Sequence, residues 1–231
     1  MAKKSLALAL SVAAMALPSA PALAAVSVNV STGQGAKGTR DINWLVSGGA
    51  IQGGPIQAFI PQTVNGSWVG GSANTPTADG AKWITPVTPG TSTVQAGPYI
   101  YSTSFTLPDI TQLANLIISG KFWVDNRVTS IVLNETTTIF NGALPGNTFS
   151  GDGVDFSSTI GFRTGVNNLV FNVSNFSGSG DNPSGLRVAA LTTAAAVPEP
   201  GTWMMLLLGF GMIGGALRSR KKQNVNGQLA F

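Results

Sequence analysis

Neither cysteine nor histidine occurs among the 231 residues of this chain. Without cysteine no disulfide can staple it, so an exported domain must rest on its hydrophobic core alone. Without either residue, Ser-His-Asp and Cys-His nucleophilic sites are excluded, together with the usual zinc and copper ligand sets. Only oxygen chemistry remains: carboxylate pairs, or a hard cation such as calcium. Charge is scarce too, at 10% of residues.

The formal net charge of +4 is carried by the ends. Lys3 and Lys4 stand at one terminus, and Arg218, Arg220, Lys221 and Lys222 near the other. Between Ala25 and Val197 there are seven basic and eight acidic residues, a net charge of −1 with no basic run. A nucleic-acid partner therefore lacks its electrostatic footprint. Gly, Ser, Thr and Asn are plentiful, while the aliphatic and aromatic content is too high for a disordered chain.

Long apolar runs occur only at the two ends. After Lys3 and Lys4, Leu6 to Leu17 are apolar, and Ala22-Leu23-Ala24 offers small residues at the −3 and −1 positions. This reads as a secretory signal peptide, residues 1–24, cleaved after Ala24. At the other end stand Val197-Pro198-Glu199-Pro200-Gly201-Thr202-Trp203, an apolar run from Met204 to Leu217, and the basic cluster Arg218-Ser219-Arg220-Lys221-Lys222. Pro198 and Pro200 fix their own φ and push Val197 and Glu199 out of the α region, so the motif reads as an extended spacer over 193–201. No charge appears from Thr202 to Leu217. As a helix, that segment spans roughly 24 Å, short of the roughly 30 Å hydrocarbon core. Trp203 suits one interface, and Arg218 can snorkel at the other. The expectation is a transmembrane helix at 202–217 and a basic cytoplasmic tail at 218–231.

Those three ordered parts resemble the PEP-CTERM sorting signal of Gram-negative bacteria. The resemblance implies export, retention in the inner membrane and processing by an exosortase, with delivery to the outer surface or extracellular matrix. It places recognition on Val197, Pro198, Glu199 and Pro200 and the membrane stop on Arg218, Arg220, Lys221 and Lys222. Gln223 to Phe231 extend past the usual end of such a signal.

Residues 25–192 remain as cargo, enough to bury one core. Period-two alternation runs through them. Tyr99, Tyr101, Thr103, Phe105 and Leu107 fall on one strand face; Leu169, Phe171 and Val173 alternate with Asn168, Asn172 and Ser174. Further strands are expected at Val26–Val30, Leu116–Val124, Ser130–Leu133, Thr138–Phe140 and Leu186–Leu191. Gly, Pro, Asn and Asp clusters, such as Gly48-Gly49 and Gly151 to Gly153, separate them. The pattern predicts an all-β, antiparallel sandwich. From Trp83 to Val188, the order of Trp83-Ile84-Thr85-Pro86, Trp123-Val124-Asp125-Asn126, Ile131-Val132-Leu133-Asn134 and Pro183-Ser184-Gly185-Leu186-Arg187-Val188 is similar to a galactose-binding-domain-like jelly roll. That family widely binds sugars, although fold alone does not settle function. Glu135 stands where the family usually has glycine.

Trp44, Trp68, Trp83 and Trp123 are the candidates for stacking on sugar rings. Trp44 and Trp123 lie within apolar runs and read as core. Trp68, between Gly66-Ser67 and Gly70-Gly71, reads as an exposed loop aromatic. Asp125, Asn126, Asp152, Asp155 and Asp181 are oxygen ligands in or beside loops, and the Asp152–Asp155 spacing admits a structural calcium, against the simpler reading of turn-capping Asx residues. No catalytic or cofactor-binding residue is assigned. The eight scattered cargo carboxylates argue against the acid and base pair of a glycosidase. The expectation is thus a non-enzymatic, structural or carbohydrate-associating surface protein, with exosortase and extracellular polysaccharide as partners. A calcium-dependent carbohydrate-binding module and a small glycosidase are the alternatives.

Overall fold

A computed structural model describes residues 25–49, 51–89, 93–142, 148–176, 182–196 and 200–226. The expected signal peptide, with Ala22 and Ala24, lies outside the described residues, as do Val197, Pro198 and Glu199. The chain divides into two compact units, one of them Ala24–Val197 and the other containing the helix α1 (Pro200–Asn226).

Among its described residues the first unit holds ten strands: β1 (Val26–Asn29), β2 (Thr39–Gly48), β3 (Ile51–Ile60), β4 (Gly97–Leu107), β5 (Leu113–Asp125), β6 (Arg127–Leu133), β7 (Thr137–Asn141), β8 (Val154–Ser158), β9 (Gly165–Asn175) and β10 (Gly185–Ala196). They form a four-stranded sheet, β1-β10-β5-β8, and a six-stranded sheet, β3-β2-β4-β9-β6-β7. Every strand pair is antiparallel. The unit is a β-sandwich, as the alternation predicts.

Alternation also sets which faces meet. Tyr99, Tyr101, Phe105 and Leu107 of β4 and Leu169, Phe171 and Val173 of β9 point inward from the larger sheet. Ile118, Phe122 and Val124 of β5 and Leu186 and Val188 of β10 point inward from the smaller one. Phe171 lies at the centre, with its ring 5.6 Å from Phe156, 5.7 Å from Trp44 and 5.9 Å from Phe122. Each such buried side chain contributes roughly 1.5–3 kcal/mol by leaving water, which lets a cysteine-free domain hold together.

Three strands, β2, β3 and β8, are not among those expected from the sequence. β3 contains Gly53-Gly54-Pro55 and was not expected as a strand; it survives because it is an edge, where proline loses no ladder bond. β8 occupies the stretch expected to be a loop after Asp152. Gly48-Gly49 does turn the chain between β2 and β3, and a Cβ at Gly49 would fall 2.0 Å from the Tyr99 ring, so only glycine fits there. The turn from β6 to β7 keeps left-handed backbone at both Asn134 (φ 52°) and Glu135 (φ 66°), so glutamate adopts the conformation that glycine would favour. β10 runs to Ala196, four residues beyond the expected end of the cargo, because Ala195 and Ala196 still pair with Ala114 and Leu113 of β5.

Candidate functional site

The tryptophans do not form a sugar platform. Because Phe122 points inward, Trp123 points out of the four-stranded sheet, and the loop of residues 61–83 covers it. Val64, Trp68, Ala81 and Trp83 pack there with Trp123 and Ala189 as a second apolar cluster. Trp68 is only 2% exposed and stacks on Trp83 with ring centroids 4.3 Å apart, which corrects its reading as a loop contact. Trp123 is buried as expected, though in this cluster and outside the sandwich interior. Trp44 is in the interior, its indole donating to the Ser31 carbonyl at 3.2 Å.

Three buried polar groups fasten that loop. Asn74 donates to the carbonyls of Pro61 (2.8 Å) and Trp83 (3.2 Å) and accepts from the Trp83 amide. Arg187 donates to the carbonyls of Val69 (2.9 Å) and Thr75 (3.0 Å), with its guanidinium 5.6 Å from the Trp123 ring centre. Burial pulls the Arg187 pKa down to about 10. Asp125 accepts from the Trp68 indole at 2.9 Å and from the Asn126 side-chain amide at 2.6 Å. These bonds hold the loop in place, and of the buried guanidinium of Arg187 only Nε is left without a hydrogen-bond partner.

Burial raises the Asp125 carboxyl from 3.8 to about 6, against the lowering effect of the Trp68 hydrogen bond. Burial also raises Asp41, which accepts from the amides of Gly33 (2.7 Å) and Asn43 (3.0 Å). A carboxyl whose pKa is higher folded than unfolded binds its proton more tightly in the native state. Its contribution to stability is therefore present below the unfolded value and lost as pH rises through the folded one. Stability should increase as pH falls from 7 to 4, by on the order of 3 kcal/mol from Asp125 at most. Asp125→Asn should remove most of the slope and leave the smaller part due to Asp41. Urea titrations at pH 7, 5.5 and 4 measure this, and a wild type that weakens steadily on acidification would contradict it.

Among the described residues the candidate calcium ligands are not brought together. Asp155 lies on β8 and pairs with Lys121 of β5 at 2.8 Å. Asp125 and Asn126 are buried and bonded to each other. Asp181 is outside the described residues. Among the described residues no three acidic side chains gather where a cation could sit.

The structure does form a cleft of about 990 Å³ that lies over the outward face of the four-stranded sheet and reaches past the β8 edge to Ile139 and Phe140 of β7. Its side chains fall in rows set by the register. Asn29, Leu191, Ser119 and Ser157 cross β1, β10, β5 and β8 in one row. Ala189, Lys121 and Asp155 make the next. A third row, Arg187 and Trp123, is the part roofed by the 61–83 loop, from which Thr77 and Asp79 also line the cleft. With strands about 4.8 Å apart, the four-strand row is roughly 14 Å wide. Sequence reasoning missed this site. The alternation around Phe122 identifies Ser119 and Lys121 as outward, but nothing local says which strands lie beside them.

In the second unit, α1 begins at Pro200, the first helical position, where proline's missing N–H costs nothing. The helix includes the expected 202–217 span but continues to Asn226, so the basic residues 218–222 belong to the helix and do not start a separate tail. Met204 to Leu208, Phe210, Met212, Ile213 and Leu217 are all exposed. Among the described residues no helix is long and apolar enough to cross a membrane. The uncharged stretch is interrupted by Gly209, Gly211, Gly214 and Gly215 and closed by the basic cluster.

Residues 196–221 match the family model described as the PEP-CTERM protein-sorting motif. No curated protein and no solved structure matches the chain. The chain thus carries a PEP-CTERM sorting motif, and that motif implies export and exosortase-directed, membrane-anchored sorting in a Gram-negative bacterium.

Proposed function

We propose that this protein is an exosortase substrate whose β-sandwich is released to the outer surface or extracellular matrix, where it acts as a non-enzymatic structural or carbohydrate-associating component. The single observation that carries the reading is the three-part motif matched over residues 196–221. The short uncharged stretch of α1 serves as a transient membrane anchor, its reach extended by snorkelling of Arg218. Carbohydrate association is supported by the jelly-roll-like order of motifs from Trp83 to Val188.

The test is at Glu199. Replacing Glu199 with alanine, or Pro198 and Pro200 together, leaves both apolar ends intact, so export and insertion should proceed. The variants should accumulate as the longer membrane-bound form while the wild type loses its tail. Fractionation of the native host and a blot for the cargo decide it, and wild-type processing in both variants would reject the motif as the element read.

A further inference from the structure

We propose that the cleft on the outward face of the four-stranded sheet binds an uncharged oligosaccharide segment; this rests on the carbohydrate-associating reading above and gives it a site. The cleft differs from the rest of the molecule in what it offers a ligand. Ser119, Ser157 and Asn29 both donate and accept hydrogen bonds, as sugar hydroxyls do. Beside them Lys121 Nζ and Asp155 Oδ1, 2.8 Å apart, present a strong donor and a strong acceptor next to each other. Both are open to solvent, at 42% and 79% side-chain exposure, and so free to engage two neighbouring hydroxyls.

Their charges cancel, which disfavours a phosphorylated or uronic-acid ligand. Leu191, 40% exposed, lies between Asn29 and Ser119 and offers apolar surface to the C–H face of a sugar ring. The backbone between these rows is already paired, β1 to β10 to β5 to β8, so an extended peptide lying across the floor finds unpaired strand edges only at its outer borders, β1 and β8. The row from Asn29 to Ser157 gives the ligand an elongated seat across four strands. The 61–83 loop closes one side of it, held there by Trp68 and Arg187. An elongated, neutral, hydroxyl-rich ligand meets each of these conditions.

The experiment uses the full-length chain in detergent micelles and a set of linear oligosaccharides. Neutral glucose, galactose, mannose and N-acetylglucosamine oligomers are compared with galacturonate oligomers by array and calorimetry. Ser119→Tyr fills the centre of the row, Lys121→Met breaks the ion pair, and Ser104→Tyr on the outer face of the other sheet is the control. At least one neutral oligomer should bind wild type and Ser104→Tyr alike, and bind Ser119→Tyr and Lys121→Met about tenfold or more weakly, as expected when a hydrogen bond to a charged group is lost. Melting temperatures should stay unchanged in all three variants, as all three positions are on outer faces. Undiminished binding in both cleft variants overturns this site but leaves carbohydrate association standing. A preference for galacturonate overturns the neutral-ligand assignment. Failure of the wild type to bind any oligomer overturns both readings.

Discussion

Trp68→Ala is expected to cost the β-sandwich about 3–5 kcal/mol, the range for deleting a large buried aromatic. The residue sits in a segment without regular structure, yet it is 2% exposed and its ring lies 4.3 Å from that of Trp83. Packing around it is tight: a Cβ on Gly185 would come within 2.7 Å of the indole. Truncation leaves a void and also removes the donor to Asp125, so a buried carboxylate loses one of its partners. Trp68→Phe separates the two effects, since it keeps most of the ring and loses only the N–H; about 1–3 kcal/mol is expected. Urea unfolding measures both. Amide exchange should accelerate first in the 61–83 loop, because the other anchors, Asn74 and Arg187, hold only its backbone carbonyls and one amide. An exposed loop tryptophan would behave differently, with alanine changing stability by no more than about 0.5 kcal/mol. A value that small would show that the loop does not pack on the sheet.

Phe171→Ala should be comparably severe, also about 3–5 kcal/mol, for a different reason. Phe171 is fully buried between the sheets and touches rings contributed by both of them: Trp44 from β2, Phe122 from β5 and Phe156 from β8. Edge-to-face aromatic contacts contribute about 0.5–1.5 kcal/mol beyond burial. Phe171→Leu restores part of the volume without the ring, so its cost should fall well below that of alanine. The two substitutions report on different clusters with few shared neighbours, so their effects should nearly add. A strongly coupled pair would mean that the two clusters share packing or a backbone adjustment across the sheet.

The strands that face the core were legible because their alternation is uninterrupted. β4 and β9 can be read directly from Tyr99 to Leu107 and from Leu169 to Val173, since most inward residues are apolar and most outward ones polar, with Thr103 inward and Ile100 and Val170 outward as the exceptions. β3 could not be read, because Gly53-Gly54-Pro55 breaks the pattern and only its edge position makes those residues harmless. β8 was hidden by the polarity of Asp155 and Ser157, which face the cleft and leave only Val154 and Phe156 as inward apolar residues.

Tryptophan was the least legible residue type. Flanking glycines indicate that the chain turns near Trp68, and they do not indicate where the turn folds back. Burial there depends on the outward Trp123 and on Asp125 and Arg187, residues more than fifty positions away. The same holds for the cleft. Ser119, Ser157 and Asn29 are ordinary serines and asparagine until the register of three strand pairs sets them in a row.

The sorting motif and the sandwich class were determined by the sequence alone, because the first depends on contiguous residues and the second on a local period of two. The burial of Trp68 and Trp83, the pairing of Asp155 with Lys121, and the position of the cleft were decided only by the tertiary structure. Each of these depends on which distant strands and loops come to lie side by side, and a pairing of that kind has no signature in any one stretch of chain.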